Sequence, residues 1–252
     1  LKRRGVNVIA RTAVDRVDTG ANLGATVHYR QGDSDEDRTA YGEVVLAAIG
    51  RVPNTDADWF RSSGLKLDER GYVTVDGYGR TNLDGVWALG DITPGHALAH
   101  RAFEQGITIA EKIAGADPKP VLDDTVPQVV FSFPEAASVG LTLDQAKARE
   151  DVVEPKETAY PMLSNARMLM SGEGGSMTVV SGAFANNPDM QVVLGVHIVS
   201  PIASDLIAEA EQLVGNRVPL ADAARLIHPH PTFSETLGEA LLKADGRPLH
   251  TR

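Results

Sequence analysis

The feature that most restricts the fold is a block of β-forming runs that precedes a block of helical ones in the second half of the chain. Val129-Val130-Phe131-Ser132-Phe133-Pro134 and Ser138-Val139-Gly140-Leu141 read as strands, as do the runs from Glu157 to Pro161, Ser176 to Ser181 and Gln191 to Val199. Ser200-Pro201 then opens a helix with proline at its first position, and its apolar face carries Ile202, Leu206, Ile207, Ala210 and Leu213. Strands gathered ahead of helices, instead of alternating with them, predict an α+β layer built on an antiparallel sheet. Thr142-Leu143-Asp144-Gln145 has the form of a capping box for a short helix through about Arg149, and a further short helix is expected from Leu220 to Leu226. Gly172-Glu173-Gly174-Gly175, among short strands, reads as a hairpin turn. Pro118-Lys119-Pro120 marks a boundary in front of the whole block.

Ahead of that boundary, Val6 to Ile9, Val14 to Val17, Ala25 to Tyr29 and Glu43 to Ile49 are strand-like, separated by a turn from Asp18 to Asn22 and an acidic loop from Gln31 to Arg38. This is the pattern of a small meander ending in a buried strand. That strand runs into Gly50-Arg51-Val52-Pro53-Asn54, where a glycine lets a ligand or another backbone come close and Arg51 can pair with a phosphate or carboxylate. Gly-Arg-x-Pro is also an ordinary turn. Gly71 to Asp76 and Val86 to Leu89 are two further apolar strands, the second followed by Gly90-Asp91. An aspartate at the C-terminal end of a strand can accept hydrogen bonds from sugar or polyol hydroxyls, or can simply complete a turn. From Leu98 to Ala114 the spacing predicts an amphipathic helix with Ala99, Ala102, Phe103, Ile107, Ala110 and Ile113 on its apolar side. Small residues in its first turns would let it lie against a flat ligand with its amides facing negative charge, a role compatible with packing in a core.

Composition removes several kinds of chemistry. The 252 residues contain no cysteine, which excludes disulfides, thiolate metal sites and thiol nucleophiles supplied by this chain. A formal net charge of −10 argues against nucleic acid or an anionic membrane as a partner. No apolar run is long enough to span a bilayer, so the cytoplasm is the expected location. The opening Leu1-Lys2-Arg3-Arg4-Gly5-Val6 reads like the last turn of a helix stopped by glycine, so the chain is expected to be cut from something longer.

Chemistry concentrates in Ile227-His228-Pro229-His230-Pro231-Thr232-Phe233-Ser234-Glu235. Each histidine precedes a proline, which disfavours helical backbone and holds both on extended, stiff chain. Thr232 and Glu235 have capping-box spacing, leading into Leu237, Ala240, Leu241 and Ala244 at helical intervals. His230 therefore sits just outside a helix N-terminus, one turn from a carboxylate. An imidazole so placed suits general acid and base work, one ring nitrogen facing a substrate and the other held by Glu235. The plainer alternative is that Glu235 only caps the helix and the histidines are turn residues.

Taken together and in order, Ala48-Ile49-Gly50-Arg51-Val52-Pro53-Asn54, Val86 to Asp91, Leu98-Ala99-His100-Arg101-Ala102, Phe131 to Thr142, Asn165-Ala166-Arg167 and His228 to Glu235 resemble the C-terminal half of the FAD-dependent pyridine nucleotide-disulfide oxidoreductases. The resemblance spans essentially the whole chain, and His-x-His-Pro-Thr-x-x-Glu is most similar to the dihydrolipoamide dehydrogenases. It implies α/β remnants of the nucleotide-binding domains plus an α+β interface domain: residues 1–54 from the NAD domain, 55–120 as a second FAD-contacting segment, and 121–252 for dimerisation. His230 would then be the acid/base toward a dithiol and Glu235 its orienting partner. Asp91 would bind the ribityl chain of FAD, with Leu98, Ala99 and His100 along the flavin and Gly50 and Arg51 beside the NAD domain. The implied partners are a second copy of the chain, the N-terminal half of the same enzyme and components of a 2-oxoacid dehydrogenase complex; the implied reaction of the intact enzyme is dihydrolipoamide plus NAD to lipoamide plus NADH. Two family features are absent here, the redox cysteine pair and the Gly-x-Gly-x-x-Gly loops, so the fragment alone is expected to be inactive and not to bind FAD tightly. Pro229 and His96-Ala97 also depart from the family pattern. Other readings are a glutathione-, mycothione- or quinone-reducing relative, and a free-standing dimerisation module.

Overall fold

The computed structural model describes residues 2–20 and 24–251, and the chain divides into two compact units, 1–52 and 53–252. Leu1 and the second half of the turn expected from Asp18 to Asn22 lie outside the described residues. In the first unit a short 3-10 turn over Lys2–Arg4 stops at Gly5, whose φ of 79° suits glycine. Strands β1 (Thr12–Thr19), β2 (Ala25–Gln31) and β3 (Arg38–Gly42) follow as an antiparallel meander in that order. Val6 to Ile9 forms no strand.

The expected buried strand from Glu43 to Ile49 is neither a strand nor buried: it is irregular, and Ile49 is 97% exposed. A fully apolar strand is stable only with hydrogen-bonded neighbours and a layer over each face, and the meander in this unit supplies neither. Gly50, with φ 128°, and Arg51 follow it as exposed residues in the same irregular segment.

The second unit opens with the short helix α1 (Asp58–Ser62), whose Phe60 packs with Val73 and Ala88 in a small core. The two strands expected around Val73 and Val86 shrink to single bridges, Leu67 to Val73 and Arg80 to Trp87. Helix α2 (Ala99–Ile113) forms at the expected place but buries another face. Arg101, Thr108 and Ile109 are inside, whereas Phe103 is 71% exposed and Ile107 and Ile113 are exposed too. The cause is polar: Arg101 donates from Nε to Asp123 at 2.7 Å and from Nη2 to the Pro94 carbonyl at 2.6 Å. A buried guanidinium without such partners would cost several kcal/mol, so these bonds set the rotation of the helix.

Beyond residue 127 the expected sheet appears. Strands β4 (Gln128–Val130), β5 (Glu135–Gly140), β6 (Val152–Pro161), β7 (Ser176–Phe184) and β8 (Asn187–Ser200) pair antiparallel in the order β4-β5-β8-β7-β6. Helix α3 (Leu143–Ala148) has its capping box, with the Gln145 amide N–H on the Thr142 side chain and the Thr142 N–H on the Gln145 side chain. Helix α4 (Ala166–Ser171) was not expected; Gly172, φ 68°, ends it in the left-handed conformation, so this glycine is a helix stop and not part of a hairpin. Helix α5 (Ala203–Gly215) starts two residues after Pro201, because β8 runs on through Ser200 and Glu135 of the sheet accepts from the Ser204 N–H at 2.8 Å. A sheet carboxylate, not proline, sets where α5 begins.

Helix α6 (Leu220–Ala223) is shorter than expected, and α7 (Glu235–Ala244) closes the unit. Leu206, Ile207 and Leu213 of α5 and Leu237, Ala240 and Leu241 of α7 pack on Val139, Tyr160, Val179, Val196 and Ile198 in one core. A second cluster around Leu141, Ala146 and Val180 lies under α3. Leu237→Ala, at a fully buried site, should cost about 3 kcal/mol in urea unfolding. Phe103→Ala should change it by less than about 0.5 kcal/mol, and equal losses would contradict the burial assigned to α2.

Candidate functional site

The head of α7 and the seven residues before it form the candidate site. His230 and Glu235 meet: the ring Nδ1 lies 2.9 Å from Glu235 Oε1, with the imidazole 71% exposed and the carboxylate 22% exposed. The other carboxylate oxygen accepts from the Thr232 N–H at 2.7 Å. Half of the expected capping box is therefore present. The other half is not, because α7 starts at Glu235 with Ser234 as N-cap, and the Thr232 hydroxyl instead donates to the Pro229 carbonyl at 2.6 Å and meets Ser234 Oγ at 2.9 Å. Burial raises the Glu235 carboxyl, but the Thr232 N–H and the His230 ring outweigh it and hold the group below the usual carboxylate range. An ionised Glu235 fixes the proton of His230 on Nδ1 and leaves Nε2 without a hydrogen-bond partner among the described residues. The His230–Pro231 peptide is cis.

Two supports come from distant chain. Asn165 caps α4 by accepting from the Arg167 and Met168 N–H groups, and its amide donates to the Thr232 carbonyl at 3.1 Å. The Arg167 guanidinium lies 5.5 Å above the Phe233 ring centroid. Beneath α7, fully buried Tyr160 has its hydroxyl pushed up to about 12 by burial and by the charges of Glu239 and Glu235. It stays neutral through the physiological range. His228 does not share the solvent-facing position of His230: its side chain is only 9% exposed and its Nε2 meets Glu209 of α5 at 2.8 Å. Nothing local in the sequence marks Glu209 as a partner, since the two lie 19 residues apart.

The residues expected to touch a cofactor are elsewhere in the second unit. Asp91 sits in a 3-10 turn, Gly90–Ile92, not at the end of a strand; its carboxylate is exposed and bonded to no other described residue. The turn is held by the Gly90 N–H on Gln105 of α2 at 2.9 Å. A Cβ at Gly90 would lie 3.3 Å from that of Ala102, so this glycine lets the turn approach the helix. Leu98 is the N-cap of α2 with no side-chain cap, and Ala99 and His100 are exposed on its first turn. His100 Nε2 lies 2.7 Å from the Pro127 carbonyl. A free carboxylate beside an uncapped helix N-terminus lined by small residues suits a ligand with both hydroxyls and a flat, electron-accepting ring, so these residues fit a flavin. Among the described residues, no hydrogen bond joins this group to the His230 pair, and Gly50 and Arg51 belong to the first unit.

The family model for pyridine nucleotide-disulphide oxidoreductase matches residues 1–106, and that for the dimerisation domain of the same proteins matches 126–241. These define a flavoprotein oxidoreductase whose antiparallel sheet, with α5 to α7, is the dimerisation domain. The chain belongs to the pyridine nucleotide-disulphide oxidoreductase family. It is similar to the dihydrolipoyl dehydrogenase of Cupriavidus necator, with 38% identity over 99% of this chain and 51% of that protein. The dihydrolipoyl dehydrogenase of Geobacillus stearothermophilus is likewise 38% identical over 99% of this chain and 51% of its own length. Among solved structures, LpdA from Mycobacterium tuberculosis superposes with a TM-score of 0.83 at 30% identity, covering 96% of this chain and 50% of that one. The chain spans about half the length of the curated relatives it matches. No helix among the described residues is long and apolar enough to cross a membrane.

The Glu209 hydrogen bond, against a smaller opposing effect of burial, raises the pKa of His228 above 6.5. A base bound more tightly to its proton when folded stabilises the fold fully below its unfolded pKa, and this gain is lost as pH rises through the folded value. Melting temperature should therefore fall more steeply above about pH 6.5 in the parent chain than in His228→Gln. Parallel melting curves across that range would remove the ion pair from the account.

Proposed function

We propose that this chain is the C-terminal portion of a disulfide oxidoreductase that oxidises dihydrolipoamide with NAD, and that His230 is its acid/base. The observation that carries this is an exposed imidazole locked through Nδ1 by an ionised carboxylate, with Nε2 open. Nε2 takes the proton of a substrate thiol, and the imidazolium so formed is stabilised by Glu235 at 2.9 Å. Returned to solvent or to the departing thiolate, that proton resets the ring. The chain itself has no cysteine, so the disulfide that accepts the substrate's electrons belongs to the N-terminal half of the protein, which is the second implied partner.

The residues that would hold FAD are Asp91, toward the ribityl hydroxyls, and Leu98, Ala99 and His100, toward the pyrimidine end of the ring. Bound flavin supplies two-electron transfer between the dithiol centre and the nicotinamide of NAD. Gly50 and Arg51 would border the NAD domain, in the scheme of residues 1–54, 55–120 and 121–252 as parts of the NAD, central and interface domains. His230 lies in the part of the chain that matches a dimerisation domain, which suits a homodimer in which His230 serves the flavin and disulfide of the other subunit. Exposed Ile227 and Leu226, next to inward-facing His228, are apolar enough to lie against that second copy.

In the full-length protein, His230→Gln should slow reduction by dihydrolipoamide by about two to four orders of magnitude while sparing NADH oxidation by artificial acceptors. Equal losses in the two assays would remove the proton-transfer role. Residues 1–252 alone should show no turnover and no tight FAD binding, and measurable turnover with dihydrolipoamide would overturn the reading of the chain as an inactive portion.

A further inference from the structure

His228 is half-buried, ion-paired and not part of the proton path, yet two helices converge on its ring. Its Nε2 lies 2.8 Å from Glu209 Oε1 of α5. The second helix is α7. A Cβ on Gly238 would lie 2.5 Å from His228 Nδ1, well inside any tolerable contact. Glycine weakens a helix interior relative to alanine, and Gly238 has no positive φ to justify it. The space it leaves is filled by the histidine ring.

We propose that the His228 ring, clamped between Glu209 on α5 and Gly238 on α7, is the positioning residue that aims His230 and Glu235 at each other and at the substrate. This rests on the acid/base reading of His230. The geometry carries it because the clamp reaches both members of the pair: only Pro229 separates His228 from His230, and Gly238 lies one helical turn beyond Glu235. Of the run Leu226-Ile227-His228, only His228 turns inward, so its ring is the anchor of the segment. The charged groups facing it are Glu209 from α5 and Glu235 from α7, both carboxylates, and the Glu209 hydrogen bond is the larger influence in raising its pKa. When protonated, His228 also favours the ionised form of Glu235, which the His230 tautomer requires.

The test uses the full-length protein with dihydrolipoamide as substrate, an artificial acceptor as control, and His228→Gln, Glu209→Gln, Gly238→Ala and His230→Gln. Each of the first three should lower kcat for dihydrolipoamide by about tenfold or more with KM little changed, since misplacing a reacting group by an ångström costs up to about a hundredfold. NADH oxidation by the artificial acceptor should persist. Ring-15N spectra should show His228 titrating at a higher pH in the parent protein than in Glu209→Gln. If Gly238→Ala does not fold, Glu209→Gln, a change at a partly exposed side chain, carries the comparison. Wild-type kcat in the three clamp variants beside a crippled His230→Gln would overturn the clamp alone. Full activity in His230→Gln would instead overturn the acid/base reading beneath it, and an unchanged His228 titration in Glu209→Gln would overturn the ion pair.

Discussion

One carboxylate at the head of α7 holds the site together. Glu235 has two oxygens and uses them on different groups, the Thr232 N–H at 2.7 Å and the His230 ring at 2.9 Å. The first bond closes the backbone over the helix start, and the second aims the imidazole. Neither would persist if α7 could slide. Its seat is hydrophobic, with Leu237, Ala240 and Leu241 fully buried on the sheet, and burying each leucine is worth roughly 2 kcal/mol. An exposed, oriented ring is thus held by an apolar stripe that never meets the substrate.

Around that anchor the polar bracing is dense and non-local. Asn165 reaches from the cap of α4 to the Thr232 carbonyl, and Glu209 reaches from α5 to His228. Each bond crosses between elements that the sheet holds in register, so the loop inherits the rigidity of the sheet. Flexible surface loops lack this. Asp91, Ala99 and His100 are arranged in the opposite way: they are exposed, and the first turn of α2 has no side-chain cap.

The apolar surfaces divide along the same line. Phe103, Ile107 and Ile113 have the periodicity of a buried helix face and are exposed, and the Glu43–Ile49 run has the composition of a buried strand and is exposed too. Periodicity tells which residues share a face. It does not tell whether anything covers that face, and for α2 the ion pair of Arg101 with Asp123 turned another side inward. Charged residues look like surface in a sequence, so a buried guanidinium could not be read there.

The five-stranded antiparallel sheet, the capping box of α3 and the His230–Glu235 pair were legible from the chain alone. Strand alternation, a capping box four residues long and a proline-stiffened run of six are local patterns, and short-range sterics and hydrogen bonding decide them before distant chain arrives. Packing decided the rest: the start of α5 at Glu135, the existence of α4, the rotation of α2 and the pairing of His228 with Glu209. Those partners lie 19 to 69 residues apart, and no local preference encodes which of many carboxylates or carbonyls will be in reach once the sheet has formed. The residue types carried the chemistry; only the folded layers assigned one histidine to the solvent and the other to the interior.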